Sequence, residues 1–340
     1  MSRVNIYAIA KEVGVSPATV SKALNHPEQV SSKTRTKVLK AIEELGFIPS
    51  MLSKRNDTVA VVYHWWENVF LNYYFSRLIN GIVGELEKFH LNLLFVSPER
   101  CSSPQAWQTF LHQHHAIGVL IINPPQGNKR FESLFALGGR VVAVGSRVEE
   151  YPVHFVDCEN THSTLTALQY LFDLGHRAIG FIGGDLSQLD HWERFSAYLD
   201  FMKTRDLYRE EYVVISEDVS SFLSGRGAWE GIKRLLRLPL PPTAVFIGSG
   251  NCLLGVLRGI HECGKRVPED VSLICFDDLE EVVPGITSIR QPIEIIGRVA
   301  AEVLLSKFFN PSHATQLEKR ILSCQLILRE SVRSLFFERG

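Results

Sequence analysis

Long apolar runs are missing from this sequence. A membrane-spanning helix needs a stretch of ~18 apolar residues, and the 340-residue chain has none. The opening Met1-Ser2-Arg3-Val4-Asn5 lacks the apolar segment of a secretory signal, so a cytoplasmic protein with no membrane attachment is expected. Cysteine is sparse. Its six copies, at 101, 158, 252, 263, 275 and 324, never fall at Cys-x-x-Cys spacing. That argues against a disulfide frame or zinc site and for reduced core thiols. Enzyme signatures are lacking too: no Gly-x-Ser-x-Gly elbow, P-loop or His-Glu-x-x-His motif occurs. The glycines of residues 248–255 have the wrong spacing for a dinucleotide loop, and no acid or cysteine completes a metal set with His112 and His115. No catalytic residue, metal or cofactor is expected.

What is present is an uneven charge. The net charge is −1, yet residues 1–57 hold nine Lys/Arg against five Asp/Glu, a local +4. A basic head on an acidic body suggests a polyanionic partner for the head alone.

Ile6, Ile9, Ala10 and Val13 follow helical spacing and predict one apolar helix face. Gly14 predicts the end of that helix, because glycine tolerates the left-handed conformation there. Ser16 reads as the N-cap of a second helix with Pro17 at its first position. There Val20 and Leu24 point inward, while Pro17, Ala18, Ser21, Lys22 and Asn25 form a small polar outer face with one cation. Such a face suits the ~12 Å major groove of DNA, which admits short side chains and one or two long donors. A third helix is predicted from about residue 32 to 44, burying Val38, Ala41, Ile42 and Leu45. The three together read as a helix-turn-helix.

The segment "IYAIAKEVGVSPATVSKALNHPEQVSSKTRTKVLKAIEELGFIPS" resembles the N-terminal domain of the lactose/galactose repressor (LacI/GalR) family, and the likeness continues down the chain. The resemblance implies that Pro17, Ala18 and Lys22 face base edges. It also implies that Tyr7, Ser16, Thr19, Ser21, Asn25, Ser31 and Thr34 bind phosphates, and that Gln29 reaches a base from the following loop. Most members carry arginine where Lys22 stands; lysine offers a point donor instead of a bidentate fork. The domains expected are the reader at 1–48, a linker at 49–57 and an effector-binding, dimerising domain at 58–340. In the family the linker forms a hinge helix whose leucine wedges into the minor groove. Here Asn56 takes the leucine position, so the wedge is missing or displaced to Met51 or Leu52 and weaker operator bending is expected, with Lys54 and Arg55 still meeting phosphate.

From Val59 onward, nine apolar runs alternate with amphipathic helices such as Phe75-Leu78-Ile79-Ile82-Val83-Leu86 and Leu165-Leu168-Leu171-Phe172. Alternation of this kind predicts βαβ units, parallel sheets and two subdomains flanking a cleft. "LGHRAIGFIGG" and "VPEDVSLICFDD" again resemble family signatures. The fold expected is therefore an all-α helix-turn-helix head followed by α/β, with two periplasmic-binding-protein-like lobes. The resemblance places crossings between lobes near residues 157–160 and 286–292, and "CQLILRES" as a closing strand. It also assigns an effector pocket: Arg194 and Asp277 as ligand groups, Tyr74 and Phe222 as aromatic surfaces, Asn72 as a kept family residue, and Ser146, His191-Trp192 and Ser249-Gly250 as departures from the family pattern. The function implied is a transcriptional regulator, a repressor in most members, binding a pseudo-palindromic double-stranded operator as a homodimer and answering to a small molecule, commonly a carbohydrate. A transport receptor with the same lobes would not carry the head, and a Rossmann-type enzyme would need the motifs that are missing.

Overall fold

Runs of Val, Ile and Leu become strands wherever they are bounded by turn residues, since branched side chains pack well on a pleated surface. The computed structural model describes residues 6–25, 29–45, 57–63, 72–125, 127, 131–216, 221–222, 224–309 and 316–336. The head is three helices: α1 (Ile6–Val13), α2 (Pro17–Asn25) and α3 (Ser32–Leu45). Their shared core is Ile9, Ala10, Val20, Ala23, Val38 and Ala41. Ala23, rather than Leu24, is the more deeply buried residue of α2, because Leu24 lies at the margin of that core.

The first lobe contains β1 (Thr58–Tyr63), β2 (Asn92–Val96), β3 (Ala116–Ile122), β4 (Val141–Val144), β5 (His154–Cys158) and β11 (Lys319–Leu322). They form a sheet in the order β11-β5-β4-β3-β1-β2, parallel throughout. The second lobe contains β6 (Ile179–Gly183), β7 (Val213–Ile215), β8 (Ala244–Ile247), β9 (Ser272–Phe276), β10 (Thr287–Arg290) and β12 (Gln325–Ile327), in the order β12-β10-β9-β8-β6-β7. Only its β10–β12 pair is antiparallel among the described strands. All nine apolar runs are strands. Two further strands, β10 and β11, carry too many polar residues to show an apolar run.

Helices cover both faces of each sheet. On the first, α4 (Tyr73–Glu87) and α11 (Ile293–Phe309) cover one face, and α5 (Pro104–Gln113) and α6 (Glu132–Phe135) the other. On the second, α7 (Asn160–Asp173) and α8 (Leu189–Lys203) lie opposite α9 (Arg226–Leu236) and α10 (Leu253–Glu262). α4 and α11 touch backbone to backbone. A Cβ on Gly81 would lie 1.9 Å from the Glu294 carbonyl oxygen, and one on Gly297 would lie 2.2 Å from that of Leu78.

The chain passes between the sheets three times among the described residues: between β5 and α7, between β10 and α11, and between β11 and β12.

Candidate functional site

The head owes its shape to local chemistry. Gly14 is left-handed at φ +72°, and the Val15 N–H returns to the Ala10 carbonyl at 3.0 Å, which closes α1 with a Schellman turn. Two serines then do the same work twice. Ser16 Oγ accepts the Thr19 N–H at 3.1 Å, and Ser31 Oγ accepts the Thr34 N–H at 3.2 Å. Each serine hydroxyl also meets the threonine hydroxyl at 2.9 Å. Ser16, Thr19, Ser31 and Thr34 therefore gather at the N-termini of α2 and α3, where backbone N–H groups and the helix dipole favour an anion. Ala18 and Lys22 are exposed on one stripe of α2, with half-buried Pro17 and Ser21 beside them; Asn25 ends the helix. Tyr7 is 70% exposed on α1, and Gln29 is exposed between α2 and α3. Lys54, Arg55 and the hinge residue Asn56 lie outside the described residues.

In the body, a cavity of about 280 Å³ opens between the lobes at the carboxyl ends of the strands, where parallel sheets bind ligands. Tyr63 ends β1, Asn72 precedes α4, Tyr74 lies in its first turn, and Asn123 follows β3. From the second lobe come Asp190, His191 and Arg194 on α8, then Phe222, Ser249 after β8 and Asp277 after β9; Gln291 closes the rear.

Arg194 is nearly fully buried and already engaged. Its Nε donates to Asn160 Oδ1 at 2.9 Å, its Nη1 donates to the Gly248 carbonyl at 3.0 Å, and its Nη2 lies 3.4 Å from Asp190 Oδ2. Its guanidinium also stacks 3.6 Å above the centre of the Phe276 ring. Burial disfavours its charge, but the Asp190 and Asp277 carboxylates outweigh burial and hold it protonated. Asp277 is held at φ +90°, a strained geometry for a non-glycine residue that is common at functional sites. Burial raises its carboxyl above the ordinary range; Arg194, the Gly250 N–H (2.9 Å) and the Gln291 side chain pull the other way. Burial pushes the Tyr74 phenol far above its usual value, so it remains a neutral donor. Gly145 leaves room for it: a Cβ there would lie 2.3 Å from both the Tyr74 hydroxyl and Asn123 Oδ1. Asn123 Oδ1 is buried without a hydrogen-bond partner.

Of the residues expected at the effector pocket, Asn72, Tyr74, His191, Arg194, Phe222, Ser249, Gly250 and Asp277 line this cavity. Ser146 and Trp192 do not. Gly145, at φ +73°, turns the chain so that Ser146 Oγ donates to the Pro124 carbonyl at 3.3 Å, on another surface. Trp192 is 44% exposed because a helix places residue 192 away from the face shared by 190, 191 and 194. His191 takes the inward place, its ring 5.1 Å from Phe222 in an edge-on arrangement. Sequence reasoning missed Asp190, Asn123 and Gln291. Asp190 was detectable, since residues 190, 191, 194, 197, 198 and 201 are all buried along α8 and repeat at helical spacing.

The head matches the description "Bacterial regulatory proteins, lacI family" over residues 5–50, and residues 168–332 match a periplasmic binding protein-like domain. The chain is 30% identical to catabolite control protein A of Priestia megaterium, over 94% of this chain and 97% of that one. It is 28% identical to the HTH-type transcriptional regulator CelR of Thermobifida fusca, over 97% and 98% respectively. A solved CelR–cellobiose complex superimposes with a TM-score of 0.69, covering 97% of this chain and all of that one. A groove-reading head joined to two lobes with a cleft, matched along nearly its whole length by such regulators, makes this chain a member of the lacI family of bacterial DNA-binding transcriptional regulators and not an enzyme.

Proposed function

We propose that the chain is a dimeric, operator-binding repressor whose DNA affinity is set by a small neutral sugar in the inter-lobe cavity. One observation carries the ligand class: the ionised groups of the cavity are already committed to the protein. Arg194, the sole guanidinium or ammonium among the described lining residues, is held by hydrogen bonds to Asn160 and Gly248 and an ion pair with Asp190. An anionic ligand would meet Asp190 and Asp277 with little positive charge to offset them. A polyol instead finds hydroxyl and amide partners at Tyr74, Asn72, Asn123 and Ser249. Tyr63, Tyr73 and Phe222 supply apolar surface for the C–H face of a sugar ring. The volume is near the lower limit of ligand pockets, ~300 Å³, which favours a ligand of monosaccharide scale. The complex of CelR with cellobiose supports the sugar class.

On DNA, Pro17, Ala18 and Lys22 meet base edges in the major groove. Tyr7, Ser16, Thr19, Ser21, Asn25, Ser31 and Thr34, with Lys54 and Arg55, hold phosphates, and Gln29 reaches an adjacent base. Two heads in a homodimer match a pseudo-palindromic site. Ligand binding between the lobes shifts the population of lobe angles, and with it the spacing of the heads.

Melting curves with glucose, ribose, cellobiose and gluconate test the ligand class. A neutral sugar should raise the melting temperature with concentration. A rise with gluconate alone would overturn it. On the DNA side, selection from a random oligonucleotide pool should return a palindrome. Lys22→Ala should then cost ~1–3 kcal/mol of binding and relax one base position. Equal weakening on every sequence would make Lys22 a phosphate contact.

A further inference from the structure

The three inter-lobe crossings converge on two thiols. Cys158 ends β5 at the first crossing and is buried. Cys324 lies in the third crossing, between β11 and β12, and packs against the cores of both lobes. β5 and β11 pair in parallel with Cys158 opposite Leu322, so Cys324 stands two residues beyond that partner. Cys324 packs against the core cluster that contains Cys158. The second crossing joins them: the Cys158 thiol donates to Gln291 Oε1 at 3.1 Å. Gln291 in turn donates through Nε2 to Asp277 in the cavity. Hydrogen bonds thus run Cys158–Gln291–Asp277, with Cys324 packed beside the first of them.

The two thiols are unlike. The neighbouring Cys324 and burial raise Cys158 well above the ordinary thiol range. Cys324 is held below that range, chiefly by the neighbouring Cys158, then by Ser163 and the nearby Arg194 charge. Cys324 is also the half-buried member. A more acidic, reachable thiol beside a second thiol is the arrangement of reversible redox sensors.

We infer that Cys158 and Cys324 form a redox pair that a hydroperoxide oxidises to a disulfide, locking two of the three crossings and fixing the angle between the lobes. The Cys324 thiolate attacks the peroxide O–O bond, forming a sulfenic acid and releasing an alkoxide or hydroxide that takes up a proton. The Cys158 sulfur then attacks the sulfenic sulfur, losing its thiol proton and expelling water. Both thiols together lose two electrons, and the peroxide is reduced to water plus an alcohol or a second water. A thiol reductant reverses the change. Oxidation also withdraws the Cys158 proton from Gln291, loosening the support of Asp277. The proposal rests on the hinge geometry and holds whatever ligand the cavity takes.

The test uses the reduced full-length protein treated with hydrogen peroxide, then alkylated and mapped by mass spectrometry. The wild type should lose about 2 Da and yield a Cys158–Cys324 linked peptide that dithiothreitol removes. Cys324→Ser should abolish the link and slow peroxide consumption by about ten-fold or more. Cys158→Ser should stop at a sulfenic acid on Cys324 that dimedone traps. Amide exchange across residues 157–160 and 286–292 should fall in the oxidised wild type. Peroxide reacting only at Cys101 or Cys263, or a link forming with no change in hinge exchange, would overturn the proposal. If either variant fails to fold, the reduced and oxidised wild type decide alone, because the linked peptide forms or does not.

Discussion

The two lobes share one sheet order and contribute opposite chemistry to the cavity between them. Among the described lining residues, every carboxylate and the guanidinium come from the second lobe: Asp190, Arg194 and Asp277. The described first-lobe lining is neutral, namely Tyr63, Asn72, Tyr73, Tyr74 and Asn123. Charges need fixed partners when buried, and the second lobe supplies them internally through Asn160, Gly248 and Gly250. Phenols and amides need no such cage, so the lobe that closes over the ligand can be the neutral one. On the proposed reading, the difference separates a charged receiving surface from a neutral cover.

The sharpest way to break this contrast is Arg194→Ala. Leaving Asp190 and Asp277 buried without their cation should destabilise the protein by ~3–5 kcal/mol and abolish the ligand response in melting curves. A small stability loss with intact ligand binding would refute the charged receiving surface. Next comes Asp157, at the first crossing, whose carboxyl burial pushes up to about 6. Its folded value lies above its unfolded one, so the charged form opposes folding above pH 6. Stability from this group should therefore grow as pH falls from 7 towards 4. Asp157→Asn should gain up to ~3 kcal/mol at pH 7, an advantage that vanishes below pH 4 in denaturant titrations. Gly81→Ala probes the other side of the comparison. The first lobe's α4 and α11 touch backbone to backbone at this glycine, and the added methyl should cost ~1–3 kcal/mol in urea melts. Smallest is Tyr74→Phe, which removes one neutral donor from the cover. Sugar affinity should fall by ~0.5–1.5 kcal/mol with folding stability unchanged; a loss as large as that of Arg194→Ala would erase the distinction between the lobes.

Much of this architecture is legible in the sequence, and the parts that are not have definite reasons. Nine strands declare themselves as apolar runs, the central ones because a strand buried on both faces has no polar side. β10, Thr287–Arg290, and β11, Lys319–Leu322, do not, since three of four residues in the first and two of four in the second are polar. Their place is set by neighbours already in the sheets. In the head, Gly14 and Ser16 speak through local rules that act within a few residues. The cavity is harder. Arg194 and Asp277 were read through resemblance, but Asn123 and Gln291 sit at ends of separate elements, where no periodicity links them. Trp192 misled because size drew attention that helical phase would have given to His191 and Asp190. Ser146 misled because a left-handed glycine just before it redirects the chain.

Threading the chain three times between the sheets also has a meaning for synthesis. The first lobe begins at residue 58 yet waits for its covering helix at residues 293–309 and its edge strand at 319–322. The head has all its own parts by residue 45. On the ribosome, then, the DNA reader can mature while its control apparatus is still unfinished, and the two lobes must reach completion almost together, within the last turn of translation.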